Sequence, residues 1–290
     1  MQCCHMLANC QKVKQILKNL ESFALIFSGL CHDVGHTGKN NNFEIAVLSK
    51  LAIRYHDKSV LEQHHLAKTF KIMKRQQCNV LGGLNTLQYA NVRRQMVSNI
   101  LQTDIKQHFK LLQDFEIYWK NAGDKVTEIM NKENNENEIE LLTGMIIHTA
   151  DFTGASKKFP LSKQWSEKIN QEFFMQYQEE GLRGVSQTAF MKDLDQLPIM
   201  SKAEKSFLNV IVLPLWQNLN DFYEGELQVN INNLNNSIEQ WEYLSKNTGM
   251  LNENSGILNV SITQDKKEAY QQLNKLEEVP EEEEKSQDKI

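Results

Sequence analysis

Apolar residues recur along most of this 290-residue chain at the three- and four-residue steps of an amphipathic helix. Val13, Ile16, Leu17, Leu20, Phe23 and Ala24 form one stripe, and Val97, Leu101, Asp104, His108 and Leu111 a second. Leu141, Met145, His148 and Asp151/Phe152 make a third, and Trp165, Ile169, Phe173 and Gln176 a fourth. Strand-like alternation is scarce, and only four prolines and thirteen glycines interrupt the pattern. The spacing predicts an all-α fold, a compact multi-helix domain over residues 1–247. Asn131–Glu138 reads as a polar spacer between helices. Residues 248–290, which include Glu281-Glu282-Glu283-Glu284-Lys285, have too little apolar content to fold alone and read as a disordered acidic tail.

Charge changes this picture little. The formal net charge is −5, and nine of the 37 acidic but only five of the 32 basic side chains fall in residues 265–290. The body is therefore nearly neutral, without the basic stripe expected of a nucleic-acid-binding protein. No apolar run approaches the roughly 20 residues needed to span a bilayer. The five cysteines (Cys3, Cys4, Cys10, Cys31 and Cys78) show no Cys-x-x-Cys spacing and read as reduced thiols of a cytoplasmic protein.

Two of the stripes hold residues that do not belong on an apolar face. Asp104 and His108 share a face with Val97, Leu101 and Leu111, while His148 and Asp151 follow Met145-Ile146-Ile147. A third such place is the end of the apolar run Phe23–Cys31, which runs directly into His32-Asp33. An inward carboxylate is unfavourable unless it is hydrogen-bonded, paired or bound to a metal. The expectation is a shared polar centre inside a helical core; a satisfied buried salt bridge is the plainer reading of any one residue taken alone. Imidazole and carboxylate together form a donor set suited to divalent cations.

His32-Asp33-Val34-Gly35-His36-Thr37-Gly38-Lys39-Asn40-Asn41-Asn42-Phe43 resembles the HD-aliphatic-x-H-x-G-x-x-N-x-Phe motif of class I cyclic nucleotide phosphodiesterases, a branch of the HD-domain metallohydrolases. Further segments follow in that family's order. Leu61-Glu62-Gln63-His64-His65 resembles its "LExHH", Thr103-Asp104 through His108 its "ATDxxxH", and His148-Thr149-Ala150-Asp151 its "HxADxxN". Gln164-Trp165 with Glu172-Phe173-Phe174 resembles "QW…EFF", and Pro214-Leu215-Trp216 the end of "vHPLW".

The resemblance implies metal-dependent hydrolysis of 3′,5′-cyclic nucleotides, cyclic AMP or cyclic GMP, to 5′-monophosphates in intracellular signalling. His32, Asp33 and Asp151 would ligate a zinc, with Asp33 bridging to a second ion, commonly magnesium or manganese. His36, Glu62, Asp104 and His65 would orient the waters of that centre. Asp33 and Asp151 would also face the substrate, Phe207 would stack on the purine, Ile169 and Phe173 would line the base pocket, and Glu204 would meet the base edge. A homodimer is a further expectation. Plainer readings stand beside these roles. Ser59-Val60-Leu61-Glu62 fits a capping box, His64 and His65 read as surface residues, and Trp165 and Phe173 as core.

Three departures from the family pattern are legible. Members carry "HNxxHAxDV" directly before the segment matching Met1–Met6, its first His the proton donor and its second a zinc ligand. The chain begins where that motif ends, so it reads as cut short at its N-terminus, with no proton donor among its own residues. Glu204 replaces the glutamine of "SQxxF"; a carboxylate only accepts hydrogen bonds, which suits guanine's N1–H and N2–H rather than a purine acceptor nitrogen. Gly154 replaces the asparagine of "HxADxxN". The alternative these departures imply is a catalytically impaired pseudo-phosphodiesterase that binds nucleotide or a protein partner.

Overall fold

The computed structural model describes residues 1–123, 128 and 135–247, which include no β-strand. The tail read at 248–290 and residues 131–134 of the spacer lie outside the described residues, while Glu136, Asn137 and Glu138, read as spacer, form the first turn of a helix. The chain runs α1 (Gln2–Ala8), α2 (Gln11–Lys14), α3 (Asn19–Cys31), α4 (Asn41–Ala46), α5 (Lys50–Tyr55), α6 (Val60–Met73), α7 (Thr86–Leu101) and α8 (His108–Ala122). It continues through α9 (Glu136–Asp151), α10 (Phe159–Leu182), α11 (Leu197–Phe207), α12 (Leu213–Phe222) and α13 (Gln228–Lys246).

The centre of the fold is α9, where Ile139 and every residue from Leu142 to Thr149 are buried. A helix buried on nearly all sides is held by neighbours rather than by its own propensity. It packs on α1, α3, α7, α8 and α12. Gly29 lets α1 approach α3, since a Cβ there would stand 2.7 Å from Cys4 Sγ. On the far side, Trp216, Phe222, Tyr223 and Trp241 are fully buried, and the Tyr223 hydroxyl donates to the Leu7 carbonyl at 3.0 Å.

Two predicted stripes are broken rather than continuous. Val13, Ile16 and Leu17 lie in and just after the short α2, separate from α3. Asp104 does not sit on a helix face; it occupies the break between α7 and α8 and heads the 3-10 turn Ile105–Gln107, accepting the Lys106 N–H at 3.0 Å. An aspartate that bonds nearby backbone competes with helix continuation. A third local feature is a π-helical stretch at Leu208–Val212, just before Pro214. Proline has no N–H for the carbonyl four residues back and crowds it, so the helix widens ahead of it.

Candidate active site

The end of α3 delivers His32 as its C-cap, and Gly35 (φ +77°) and Gly38 (φ +74°) then turn the chain away through left-handed conformations. The end of α9 delivers Asp151. His32 Nε2 stands 3.0 Å from Asp151 Oδ1 and 3.3 Å from Asp33 Oδ2. The other Asp33 oxygen lies 3.7 Å from His65 Nε2. Two groups of ligand atoms result, His32–Asp33–Asp151 and Asp33–His36–His65, each within 4.8 Å internally. Asp33 belongs to both.

The imidazoles are oriented from behind. His32 Nδ1 donates to the Gly29 carbonyl at 3.2 Å, and His65 Nδ1 to the Val34 carbonyl at 3.1 Å. Both Nε2 atoms are thereby aimed at carboxylate oxygens. A neutral Nε2 lone pair facing a carboxylate oxygen needs a cation between them, either a proton or a metal. For His32, burial works to lower the pKa, but the Asp151 hydrogen bond and the charges of Asp151 and Asp33 raise it to about 9. Buried His65 is instead pushed down to about 4, chiefly by loss of solvent. The donor set and its orientation fit divalent cations.

Asp33 and Asp151 are not inward in the sense the stripes suggested. Both are exposed, Asp33 just past the C-terminal end of α3 and Asp151 at the last position of α9. The buried members lie behind them. Asp104 is 2% exposed and accepts the Ser59 hydroxyl at 2.8 Å. His108 Nδ1 and His148 Nε2 are 3.0 Å apart, both rings fully buried, and burial first and then His148 push His108 down to about 4.

The capping box at Ser59–Glu62 does not form. Ser59 has φ +42° and makes no cap bond, since its hydroxyl serves Asp104. Asn41 takes its place from outside, accepting the Leu61 N–H at 2.8 Å and donating to Glu62 Oε2 at 2.9 Å. Burial, despite that bond, raises the Glu62 carboxyl, with the nearby Asp104 charge adding to it. His65 is buried rather than a surface residue.

Beyond this centre, α10 departs from its expected pattern at Trp165 and Ile169, while Gln176 of the same stripe is buried. Trp165 and Ile169 are about half exposed, while Ser162, Ser166, Asn170, Gln176 and Glu180 are buried. The apolar stripe at Trp165 and Ile169 is therefore not core. Glu204 of α11 is buried against α10, accepting from Ser166 Oγ at 2.8 Å and from Asn170 Nδ2 at 2.5 Å. Phe207, one turn on, is 36% exposed and packs edge-on to Phe152, the neighbour of Asp151, at 5.7 Å between ring centres. Phe173 makes a perpendicular contact with Phe190 at 5.9 Å. Trp165 leans on Gly154, where a Cβ would stand 3.3 Å from the indole.

Residues 1–234 match the family described as 3′5′-cyclic nucleotide phosphodiesterase. The chain belongs to that family. It is 31% identical over 241 residues to the 3′,5′-cyclic-AMP phosphodiesterase 4C of Mus musculus, covering 83% of this chain and 35% of that protein. It is 32% identical over 228 residues to the 3′,5′-cyclic-nucleotide phosphodiesterase regA of Dictyostelium discoideum, covering 79% of this chain and 28% of that protein. The chain thus spans about a third of the length of these relatives. The crystal structure of the phosphodiesterase domain of Salpingoeca rosetta rhodopsin phosphodiesterase superposes with a TM-score of 0.75 at 25% identity, over 87% of this chain and 74% of that one. The all-α architecture is that of the phosphodiesterase fold, and among the described residues no helix is long and apolar enough to cross a membrane.

Within this phosphodiesterase domain, His32, Asp33, Asp151, His36 and His65 converge on one centre. Glu62 lies within reach of the charges of both Asp104 and Asp33; Ile169 and Phe173 fall on α10, Glu204 and Phe207 on α11, and of these Phe207 packs on Phe152, next to Asp151. Sequence reasoning missed Asn41, Ser59, Ser166 and Asn170. Asn41 lay inside the recognised motif. Ser166 and Asn170 carried a fainter signal, two polar residues four apart, each next to an apolar position.

Proposed function

We propose that this chain is the catalytic domain of a metal-dependent phosphodiesterase that opens 3′,5′-cyclic nucleotides to 5′-monophosphates. The observation that carries the reading is Asp33, whose two carboxylate oxygens face His32 and His65 in two overlapping ligand groups. His32, Asp33 and Asp151 would hold one cation, a zinc, and Asp33 would reach a second, magnesium or manganese, near His36 and His65. Such cations, when bound, polarise phosphoryl oxygens and lower the pKa of water.

The remaining tasks fall to side chains. Asp33 and Asp151 orient the reacting water by accepting its hydrogens. His36 Nδ1 accepts the Gly38 N–H at 3.0 Å, which leaves its Nε2 protonated as a donor to an anionic oxygen. Glu62, raised by burial, is suited to hold a proton of the water shell. Water oxygen bonds to phosphorus as the bond to O3′ breaks, and O3′ takes up a proton. In the family's pattern that proton comes from the first His of "HNxxHAxDV". Phe207, Ile169 and Phe173 would bind the base.

A second reading, a pseudo-phosphodiesterase that binds nucleotide without turnover, is favoured by Glu204 and Gly154, which change two polar contacts to the base. Incubation of the purified chain with cyclic AMP and cyclic GMP in Zn²⁺ and Mg²⁺, followed by chromatography of the products, separates the two. The phosphodiesterase reading expects 5′-monophosphate, formed roughly 10²–10⁴-fold more slowly than with a positioned proton donor, and abolished by chelator and by Asp33→Asn. Nucleotide binding without product in any metal would support the second reading and sink the first.

A further inference from the structure

The far end of α10 closes on a glycine. Gly184 takes φ +69°, its N–H donates to the Gly181 carbonyl at 3.2 Å, and the Val185 N–H donates to the Glu180 carbonyl at 3.1 Å. Those are the two bonds of a left-handed glycine cap. The turn leaves Leu182, Arg183, Gly184, Ser186 and Gln187 exposed. Arg183 is the one arginine of the chain followed three residues later by a serine or threonine. Protein kinases choose substrates by such charge patterns, and many bind an arginine three residues before the hydroxyl they modify.

After Ser186 the chain folds back as a strap over α10. Gln187 Nε2 donates to the Tyr177 carbonyl at 2.9 Å. The Thr188 N–H donates to Glu180 Oε2 at 2.6 Å and its hydroxyl to Oε1 at 2.8 Å, and Phe190 then meets Phe173. Buried Glu180 also accepts from Gln176 Nε2 at 2.8 Å, and Gln176 Oε1 accepts the Asn40 N–H at 2.9 Å. Glu179, one residue earlier, accepts from Arg183 Nη2 at 2.8 Å and from Lys39 Nζ at 2.5 Å. Two adjacent carboxylates therefore hold both the strap and the loop that carries Lys39 and Asn40.

We propose that Ser186 is a phosphorylation site for an arginine-directed protein kinase, and that its phosphate releases residues 187–191 from α10. In the transfer, Ser186 Oγ bonds to the γ-phosphorus of ATP as the bond to ADP breaks, and the hydroxyl proton passes to the kinase's base. The product carries a charge of about −1.5 to −2. It stands two residues from Thr188, which is bound to the Glu180 carboxylate, and three from Arg183, which is bound to Glu179. Like charge opposes the Thr188–Glu180 bonds, while the exposed Arg183 guanidinium turns from Glu179 to the phosphate. Glu179 keeps Lys39 as its partner. Phe190 then leaves Phe173, which weakens nucleotide binding. Only that last consequence rests on the cyclic nucleotide reading above.

The test treats the full chain, and a peptide of residues 179–190, with ATP and a purified calmodulin-dependent kinase that reads Arg-x-x-Ser. Mass spectrometry should find phosphate on Ser186 in both. It should be lost in Arg183→Ala, although that change unties the strap and would by itself expose the serine further. Amide exchange over residues 187–191 should rise in the phosphorylated chain and in Thr188→Val. Ser186→Ala should exchange like the untreated chain and serves as the folding control. Binding of 5′-AMP in Zn²⁺ and Mg²⁺, by calorimetry, should weaken on phosphorylation. Phosphate on the peptide alone, on neither, or equally on Arg183→Ala would overturn the site. Unchanged exchange in the phosphorylated chain would overturn the release. Raised exchange with unchanged 5′-AMP affinity would sink only the link to nucleotide.

Discussion

His32 Nε2 lies 3.0 Å from Asp151 Oδ1, joining the C-terminal ends of α3 and α9 across 119 residues of sequence. Two helix ends meet there, one with His32 at its C-cap and the other with Asp151 as its last residue. That junction, with Asp33 between its two ligand groups, is the feature from which most expectations follow.

Asp33→Asn should weaken cation binding at both positions, because Asp33 is common to both ligand groups. His36→Ala should leave the His32–Asp33–Asp151 group intact. Zinc and magnesium content by mass spectrometry, with Kd by competition, reads the difference. Equal loss in the two variants would contradict two overlapping groups.

Asn41→Ala removes both the external cap of α6 and the donor to Glu62. Metal affinity or turnover should fall by roughly 10- to 100-fold, the range for groups that orient ligands rather than bind metal. An unchanged metal titration and rate would show that Glu62 needs no such support.

Ser59→Ala leaves Asp104 Oδ2 without its hydroxyl partner in a buried setting. The expected loss of stability is about 1–3 kcal/mol, measured by urea unfolding. A loss near zero would mean that another donor reaches Asp104.

Burial raises the Glu204 carboxyl above its ordinary 4.5, against the opposing bonds from Ser166 and Asn170. The folded protein therefore binds this proton more tightly than the unfolded chain does. The resulting stability is complete below the unfolded pKa and lost as pH rises through the folded one. Urea unfolding from about pH 4 upward should show wild type losing stability relative to Glu204→Gln. Parallel pH curves for the two would contradict it.

Trp241→Ala empties a fully buried site that packs edge-on against Phe159 at 5.3 Å. Its cost should be about 3–5 kcal/mol by thermal or urea unfolding. A smaller loss would indicate that α13 collapses onto the gap.

Helical content and the His32-Asp33 centre were legible because both are written locally: apolar steps of three and four, and a compact ligand motif at the end of an apolar run. Less local features were misread. The stripe through Asp104 looked continuous, yet a backbone bond from Lys106 breaks the helix there. Ser59 and Glu62 had capping-box spacing, but Asp104 and Asn41, distant in sequence, claim them.

The chain's own pattern determined an all-α protein with imidazole and carboxylate side chains gathered at a shared polar centre, since periodicity and residue chemistry need no partner to be read. Only the tertiary structure decided which face of α10 is buried. There Ser166 and Asn170 turn inward because the Glu204 carboxylate on α11 satisfies them, while Trp165 and Ile169 stay open. Periodicity assigns burial to apolar residues, but a buried polar pair is stable only where another helix supplies its acceptor, and that acceptor is 34 to 38 residues away.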